Sequence, residues 1–103
     1  MTLEELYQGL KSIVPNVSYY SFAKPVSYPT IAYFVPDTSN FSADGIAYLQ
    51  VKNVNIELYT EKKDLEIEQK IADFLIKNEL FFEQEEDYIN SEKLIRNTYF
   101  VSI

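Results

Sequence analysis

The residues with the clearest capacity for chemistry are an acidic run near the C-terminus, Glu83-Gln84-Glu85-Glu86-Asp87. Clustered carboxylates can bind a hard cation such as Ca²⁺, which prefers oxygen ligands. Two carboxylates can also cleave a glycosidic bond when an apolar pocket raises the pKa of one of them. The run lacks the alternating spacing and central Gly of an EF-hand, and nothing around it indicates a sugar-binding cleft. Neither chemistry is therefore favoured.

Two other interpretations of these acids remain open. A charge run most often forms a solvated hairpin tip or strand end. Alternatively, the run forms an anionic patch, made of Glu83, Glu85, Glu86 and Asp87, that faces a channel and weakens contact with DNA. Such a patch matters only in an assembly that DNA traverses. Residues 79–92 hold six acids and no base, so most of the net charge of -7 is concentrated in this segment.

The rest of the chain offers little equipment for catalysis. Its 103 residues include no His, no Cys, no Trp and only two glycines, Gly9 and Gly45. Without His or Cys there is no zinc site of the usual kind, no His general base and no thiolate nucleophile. Two isolated glycines supply neither a P-loop nor a dinucleotide fingerprint. We therefore expect a protein that is not an enzyme, with no catalytic residue, no cofactor and no metal.

The charge balance also restricts the partners. Acids outnumber bases 16 to 9 and Arg96 is the only Arg, which disfavours specific binding of nucleic acid. An anionic membrane surface would repel the chain, and its longest apolar stretch, Ile31–Val35, is too short for a span. The acidic N-terminal residues are unlike a signal peptide, and the absence of Cys suits a reducing cytosol.

A single domain, residues 1–103, must position these residues, and two helices in it are well marked. Thr2 and Glu5 form a capping box that opens the first helix, and Pro15 ends it. Asp64 caps the second helix, which extends to about Asn78. Each helix has one apolar stripe, formed by Leu3, Leu6, Leu10, Ile13 and Val14 in the first and by Ile67, Ile71, Phe74 and Leu75 in the second.

The other segments have the composition of strands and give the order α-β-β-β-α-β-β. Short connections predict a mostly antiparallel sheet with both helices packed on it, an α+β fold. The apolar positions of 46–59 change parity, so we expect a bulge or bend near Lys52 and Asn53. At about 3.3 Å per residue this strand would span roughly 46 Å, so that one end projects or the strand curls.

Residues 36–45 are turn formers around one aromatic, Phe41, and predict the longest loop of the chain. Long loops in compact domains are usually functional or disordered. Phe41 either folds back as a lid or anchors a partner. Asp44 in the same loop and Tyr48 in the following strand are further interface candidates. Interfaces favour Tyr, although an aromatic at strand spacing more often belongs to the sheet and core. In an assembly that DNA traverses, the loop around Asp44 is the alternative to residues 83–87 as the channel-facing segment.

Several segments together carry a resemblance to a family. They are Tyr28-Pro-Thr-Ile-Ala-Tyr33, Asn40-Phe-Ser-Ala-Asp44, Val54-Asn-Ile-Glu-Leu-Tyr-Thr-Glu-Lys-Lys-Asp64, Glu68-Gln-Lys-Ile71, Phe74-Leu75, Glu85-Glu86 and Tyr88-Ile-Asn-Ser-Glu-Lys-Leu94. The chain resembles the tail-completion proteins, also called tail terminators or head–tail joining proteins, of siphophages and prophages from low-GC Gram-positive hosts. Where these relatives tend to place a Trp, the chain has Phe81-Phe82.

The resemblance implies a ring subunit, with a hexamer suspected, at the virion head–tail junction. Such a ring assembles in the host cytoplasm, caps the major tail tube protein and docks the head connector or stopper protein, while DNA passes through without specific binding. No catalytic residues come with the family. A small head-side adaptor ring is not separated from a tail terminator by this resemblance.

Two other classes remain as alternatives. A small acidic inhibitor could mimic DNA and bind a basic host nucleic-acid-binding protein, but such a protein would spread its carboxylates over one face rather than bunch them in one segment. The Tyr-rich sheet could also line a small-molecule pocket. Neither alternative requires a ring.

Overall fold

The computed structural model describes residues 1–20, 27–43 and 46–103, with the backbone alone for 41–43 and 46–49. The chain order is α1 (Leu3–Ile13), β1 (Val17–Tyr19), β2 (Thr30–Ala43), β3 (Ile46–Thr60), α2 (Leu65–Lys77), β4 (Phe82–Ile89) and β5 (Leu94–Ser102). The strands form one sheet in the order β1-β2-β3-β5-β4. Among the described strands, β1 and β2 alone pair in parallel, and the other pairs are antiparallel. The predicted α+β fold is confirmed.

Both helices start as the sequence predicts. The Thr2 hydroxyl accepts a hydrogen bond from the Glu5 amide while the Glu5 carboxylate accepts one from the Thr2 amide, which completes the capping box of α1. The Asp64 carboxylate accepts the Ile67 amide at the start of α2. These bonds satisfy amides that have no partner within a helix.

The core lies between the helices and one face of the sheet. It combines the helix stripes with alternate residues of the three central strands, because successive side chains of a strand point to opposite faces. The buried members with the least exposure are Leu6, Leu10, Ile31, Val54, Ile56, Leu58, Ile71, Leu75 and Tyr99. No described helix covers the opposite face of the sheet, which we call the open face.

The predicted loop at 36–45 is wrong, because β2 continues through Ala43. Phe34 pairs with Asn55 and Asp37 pairs with Asn53, so Val35 and Pro36 together face the single residue Val54. A bulge tolerates Pro, whose missing N–H would interrupt a regular ladder. The irregularity expected near Lys52 and Asn53 is present next to Asn53. Its extra residue belongs to β2, however, and not to β3 as the sequence indicated.

Strands β2 and β3 extend beyond the rest of the sheet. Pairing of β3 with β5 ends at Asn53 and Ser102, followed by two backbone hydrogen bonds between Lys52 and Ile103. Beyond this point the described parts of β2 and β3 pair with each other. We call residues 38–43 and 46–52 the arm. The molecule is accordingly elongated, at 50 × 27 × 22 Å. A two-stranded hairpin is marginally stable by itself in water, so an arm of this kind gains from a partner.

Candidate functional site

The four acids expected to form one patch lie on two faces of the sheet. In β4, Glu83, Glu85 and Asp87 pair with Phe100, Thr98 and Arg96 of β5. These pairs lie on the open face, whereas Glu86 pairs with the buried Asn97 and points to the helix side. The expectation of a single patch is therefore wrong, because consecutive residues of an extended strand alternate between faces.

Asp87 is paired within the chain. The Arg96 Nε donates to Asp87 Oδ1 at 2.9 Å and Nη2 donates to Oδ2 at 2.7 Å. This bidentate geometry, with one hydrogen bond to each carboxylate oxygen, is the strong form of the Arg–carboxylate contact. The hydrogen bonds from Arg96 lower the pKa of Asp87, and the same contact raises the pKa of Arg96. The charge of Asp87 is thus balanced at neutral pH.

Glu86 is also paired, on the helix side. The Lys63 ammonium donates to Glu86 and, at 2.8 Å, to the buried carboxylate of Glu68 on α2. The hydrogen bonds that Lys63 donates to both acids, with the bond to Glu68 as the larger cause, raise the pKa of Lys63. Lys63 therefore ties β4 to the first turn of α2. Glu68 was missed in the sequence, although its position three residues before Ile71 on the inner stripe could have indicated burial.

Glu83 and Glu85 differ from these two acids. Both side chains are exposed on the open face, and within 1–20, 27–40 and 50–103 no Lys or Arg forms an ion pair with either of them. The sequence-based expectation of a channel-facing role therefore now concerns these two residues, and it stays a prediction.

Around Glu83 and Glu85 the open face combines acids with aromatic rings. One row across the sheet places Phe34, Asn55, Phe100 and Glu83 side by side, and the next places Ala32, Glu57, Thr98 and Glu85 side by side. Phe100 is 36% exposed. A shallow cavity of about 290 Å³ between these rows is lined by residues that include Glu57, Glu85, Arg96 and Phe100.

Glu57 forms the floor of this cavity and is held in place by its neighbours. Its side chain is 17% exposed, and its Oε1 accepts a hydrogen bond from the Tyr59 hydroxyl at 3.0 Å. Arg96 Nη1 lies 3.8 Å from Glu57 Oε2, longer than a hydrogen bond. The cavity is thus lined by the partly buried carboxylate of Glu57, which forms a long ion pair with Arg96, by the exposed carboxylate of Glu85 and by the ring of Phe100.

The three interface candidates from the sequence lie at the arm. Phe41 belongs to β2 opposite Leu49, and Tyr48 belongs to β3 where the register shifts between Phe41 and Ser42. The side chains of Phe41 and Tyr48, and Asp44 altogether, lie outside the described residues. The structure therefore places Phe41 and Tyr48 on the two strands of the arm and does not test their contacts.

Two further findings concern the described part of the chain. It contains no group of three or more His, Cys, Asp or Glu side chains arranged to hold a metal ion. None of its helices combines the length and apolar character required for a membrane crossing.

Comparison with known proteins finds a similar fold in a virion. A chain in the solved structure described as "Virion of native gene transfer agent (GTA) particle" matches with a TM-score of 0.67 and 13% sequence identity, covering 94% of this chain and 88% of that chain. No protein-family model and no curated protein matches the sequence. At this identity the likeness establishes a shared fold over nearly the whole domain.

Proposed function

We propose that the chain is a phage structural protein of the head–tail interface, a tail-terminator or tail-completion subunit that assembles into a ring. The observation that carries the proposal is the shared fold with a chain of a virion, over 94% of this protein. The resemblance of the sequence to tail-completion proteins points to the same setting independently. The ring would cap the tail tube and dock the connector of the head, with a hexamer as the expected form.

The arm supports an assembling role. It extends past the last residues of β5 and carries the exposed backbone edges of two strands. Such edges are a template for pairing with another chain. We assign the arm, with Phe41 and Tyr48 on it and Asp44 next to it, to contacts with the neighbouring subunit or with the tail tube.

A structural role also agrees with the chemistry of the described residues. The buried Glu68 is bound by Lys63, and the carboxylate of Asp87 is held by Arg96. Carboxylates that are paired in this way serve stability rather than proton transfer. We therefore propose a protein that is not an enzyme.

The alternative of a DNA mimic is disfavoured by the same geometry. A mimic needs unpaired carboxylates at phosphate-like spacing on one face. The acids of β4 are divided between two faces, and two of them are neutralised within the chain.

The decisive experiment measures the mass of the purified protein by light scattering, alone and with the tail-tube protein of its phage, followed by electron microscopy of the mixture. We expect rings at the ends of tail tubes and an arrest of tube growth. Tubes that elongate normally, with no bound protein at their ends, would overturn the proposal. An irrelevant acidic protein of similar size is the control for non-specific attachment.

A further inference from the structure

The open face is an amphipathic surface that no described helix covers. Phe34 and Phe100 flank Asn55 on neighbouring strands, and the adjoining row contains the buried Ala32 and Thr98. Exposed rings in a contiguous surface usually mark an interaction site, because they lose contact with water when a partner binds. The exposed apolar surface in these rows is thus mainly the ring of Phe100, because Ala32 and Thr98 are buried and Phe34 packs against Tyr20 with the ring centroids 5.2 Å apart.

The negative charge of the open face favours a positively charged partner. The rows on this face hold Asp37, Glu57, Glu83, Glu85 and Asp87 against one base, Arg96. Two copies of this acidic face would repel each other, and the face would also repel the phosphates of a nucleic acid. A segment that carries Lys or Arg would gain both charge complementarity and contact of its cations with the rings.

We propose that the open face binds an extended basic segment of another protein, with one cationic side chain seated in the cavity above Glu57. The carboxylates of Glu57 and Glu85 supply the acceptors and Phe100 supplies the wall. The guanidinium of an Arg suits this site best, because its flat donors match carboxylates and its face stacks on a ring. This inference goes beyond the head–tail assignment and does not depend on it.

The arm and the described residues next to α2 do not supply such a segment. The arm and its adjoining residues, 37–53, carry Asp37, Asp44 and Lys52, which give no excess of positive charge. Lys62 and Lys63 are adjacent, but Lys63 is bound to Glu68 and Glu86. We therefore assign the occupant to a different protein, since neither of these described segments of a second copy offers an excess of free positive charge.

A bare channel wall would not need this arrangement. Repelling DNA requires negative charge, yet two of the acids on this face adjoin aromatic side chains, and Asp87 is neutralised by Arg96. On a surface that contacts only water and passing DNA, the exposed part of the Phe100 ring would gain no apolar partner. The combination of this ring, the partly buried carboxylate of Glu57 and the two exposed acids Glu83 and Glu85 is better suited to a protein ligand.

The test uses a short labelled peptide of alternating Arg and Ala and follows its affinity by fluorescence anisotropy and its location by backbone amide shifts. We expect saturable binding that weakens with salt, with shifts centred on Glu57, Thr98 and Phe100. Glu83→Lys/Glu85→Lys should weaken binding about tenfold, because two attractive contacts become repulsive. Glu83→Gln/Glu85→Gln keeps the side-chain shape and should have a smaller effect in the same direction.

The matched control is Glu66→Lys/Asp73→Lys, which makes the same change in net charge on the exposed side of α2. It should retain the affinity of the unchanged protein within about twofold. Equal loss in both double variants would mean that the peptide senses net charge only, and it would overturn the proposal. The proposal would also be overturned if the backbone amide shifts on the open face depended on the protein concentration and not on the peptide concentration, because this would indicate self-association. Unchanged peptide affinity combined with slowed DNA ejection from virions carrying Glu83→Lys/Glu85→Lys would assign the face to a channel wall.

Discussion

Among single residues, Tyr99 shows how the protein fastens α2 to its sheet. Its ring is fully buried against Phe82, with the ring centroids 5.9 Å apart, and its hydroxyl donates to the Glu68 carbonyl oxygen at 3.1 Å. Tyr99→Phe keeps the ring and removes the donor. We expect the free energy of unfolding to fall by about 1 kcal/mol, measured by urea denaturation. Tyr88→Phe, at a half-exposed position on β4, is the control and should change it little.

The same hydroxyl makes a prediction for alkaline pH. Burial raises the pKa of Tyr99 above its ordinary value near 10. Because the raised pKa belongs to the folded state, this contribution to stability is complete below about pH 10 and is lost as the pH rises further. Tyr99→Phe should therefore show a shallower alkaline decline in melting temperature than the unchanged protein. Burial also raises the pKa values of Tyr33 and Tyr59, but both residues remain in the two proteins. Identical declines would therefore contradict the contribution of Tyr99 to the loss of stability at alkaline pH.

Residue-scale features were predictable where they depend on neighbours in sequence. The capping box of Thr2 and Glu5 follows from a spacing of three residues, and the structure contains it. The pairings of Glu86 with Lys63 and of Asp87 with Arg96 were not foreseen, because each depends on which strands lie side by side. That information is absent from a list of charges along the chain.

Among the elements, the two helices meet at Gly9. A Cβ atom built at this position would lie 2.1 Å from Cζ of Phe74 on α2, far inside van der Waals contact. Gly9→Ala improves helix propensity by up to about 1 kcal/mol, but the overlap forces the ring or the helix to move. We expect a net loss of about 1–2 kcal/mol in chemical denaturation. Gly9→Ala/Phe74→Leu should recover part of it, and greater stability of Gly9→Ala alone would show that the helices separate easily.

The arm should be dispensable for folding and required for assembly. Residues 39–51 can be replaced by Asn-Gly, since Thr38 and Lys52 are paired and a two-residue turn of this type joins antiparallel strands. The shortened protein should keep its helical circular dichroism and melt within a few degrees of the unchanged chain, because the core lies outside the arm. Under the proposed ring assembly, sedimentation velocity should show a larger species for the full-length protein and none for the shortened one. Loss of folding would instead place the arm in the folding unit.

The arm also shows which strands the sequence predicts and which it does not. The length of β3 indicated a projecting end, and the structure has one. The partner strand was taken for a loop, because Pro36, Asp37, Ser39 and Asn40 are turn formers. Their polar side chains are accommodated in a strand because Asn53 opposite binds both Asp37 and Ser39. Cross-strand partners of this kind override local propensity.

At the scale of the whole molecule, the domain is expected to unfold as one unit. Both helices and strands β1, β2, β3 and β5 contribute to the larger of two buried clusters, and the smaller one, formed by Ala32, Tyr59 and Leu94, lies on the other face of the same sheet. Differential scanning calorimetry should show one transition whose calorimetric and van't Hoff enthalpies agree. Its heat-capacity increment should be about 1.3 kcal/mol/K for a chain of this length. Two separable transitions would contradict the single-domain assignment.

The bulge at Val35 and Pro36 has a consequence for how this protein can change over time. Before it, odd-numbered residues of β2 such as Tyr33 face the helices, and after it, odd-numbered residues such as Asp37 share the side of Asn53 and Asn55. Because Val35 and Pro36 both oppose Val54, loss of one of their two codons would leave Asp37 opposite Asn53 and keep every later β2 side chain on its present face. Loss of a codon elsewhere in the paired part of β2 would instead turn the following side chains to the reverse side, so the bulge is the point at which this strand tolerates a change of length.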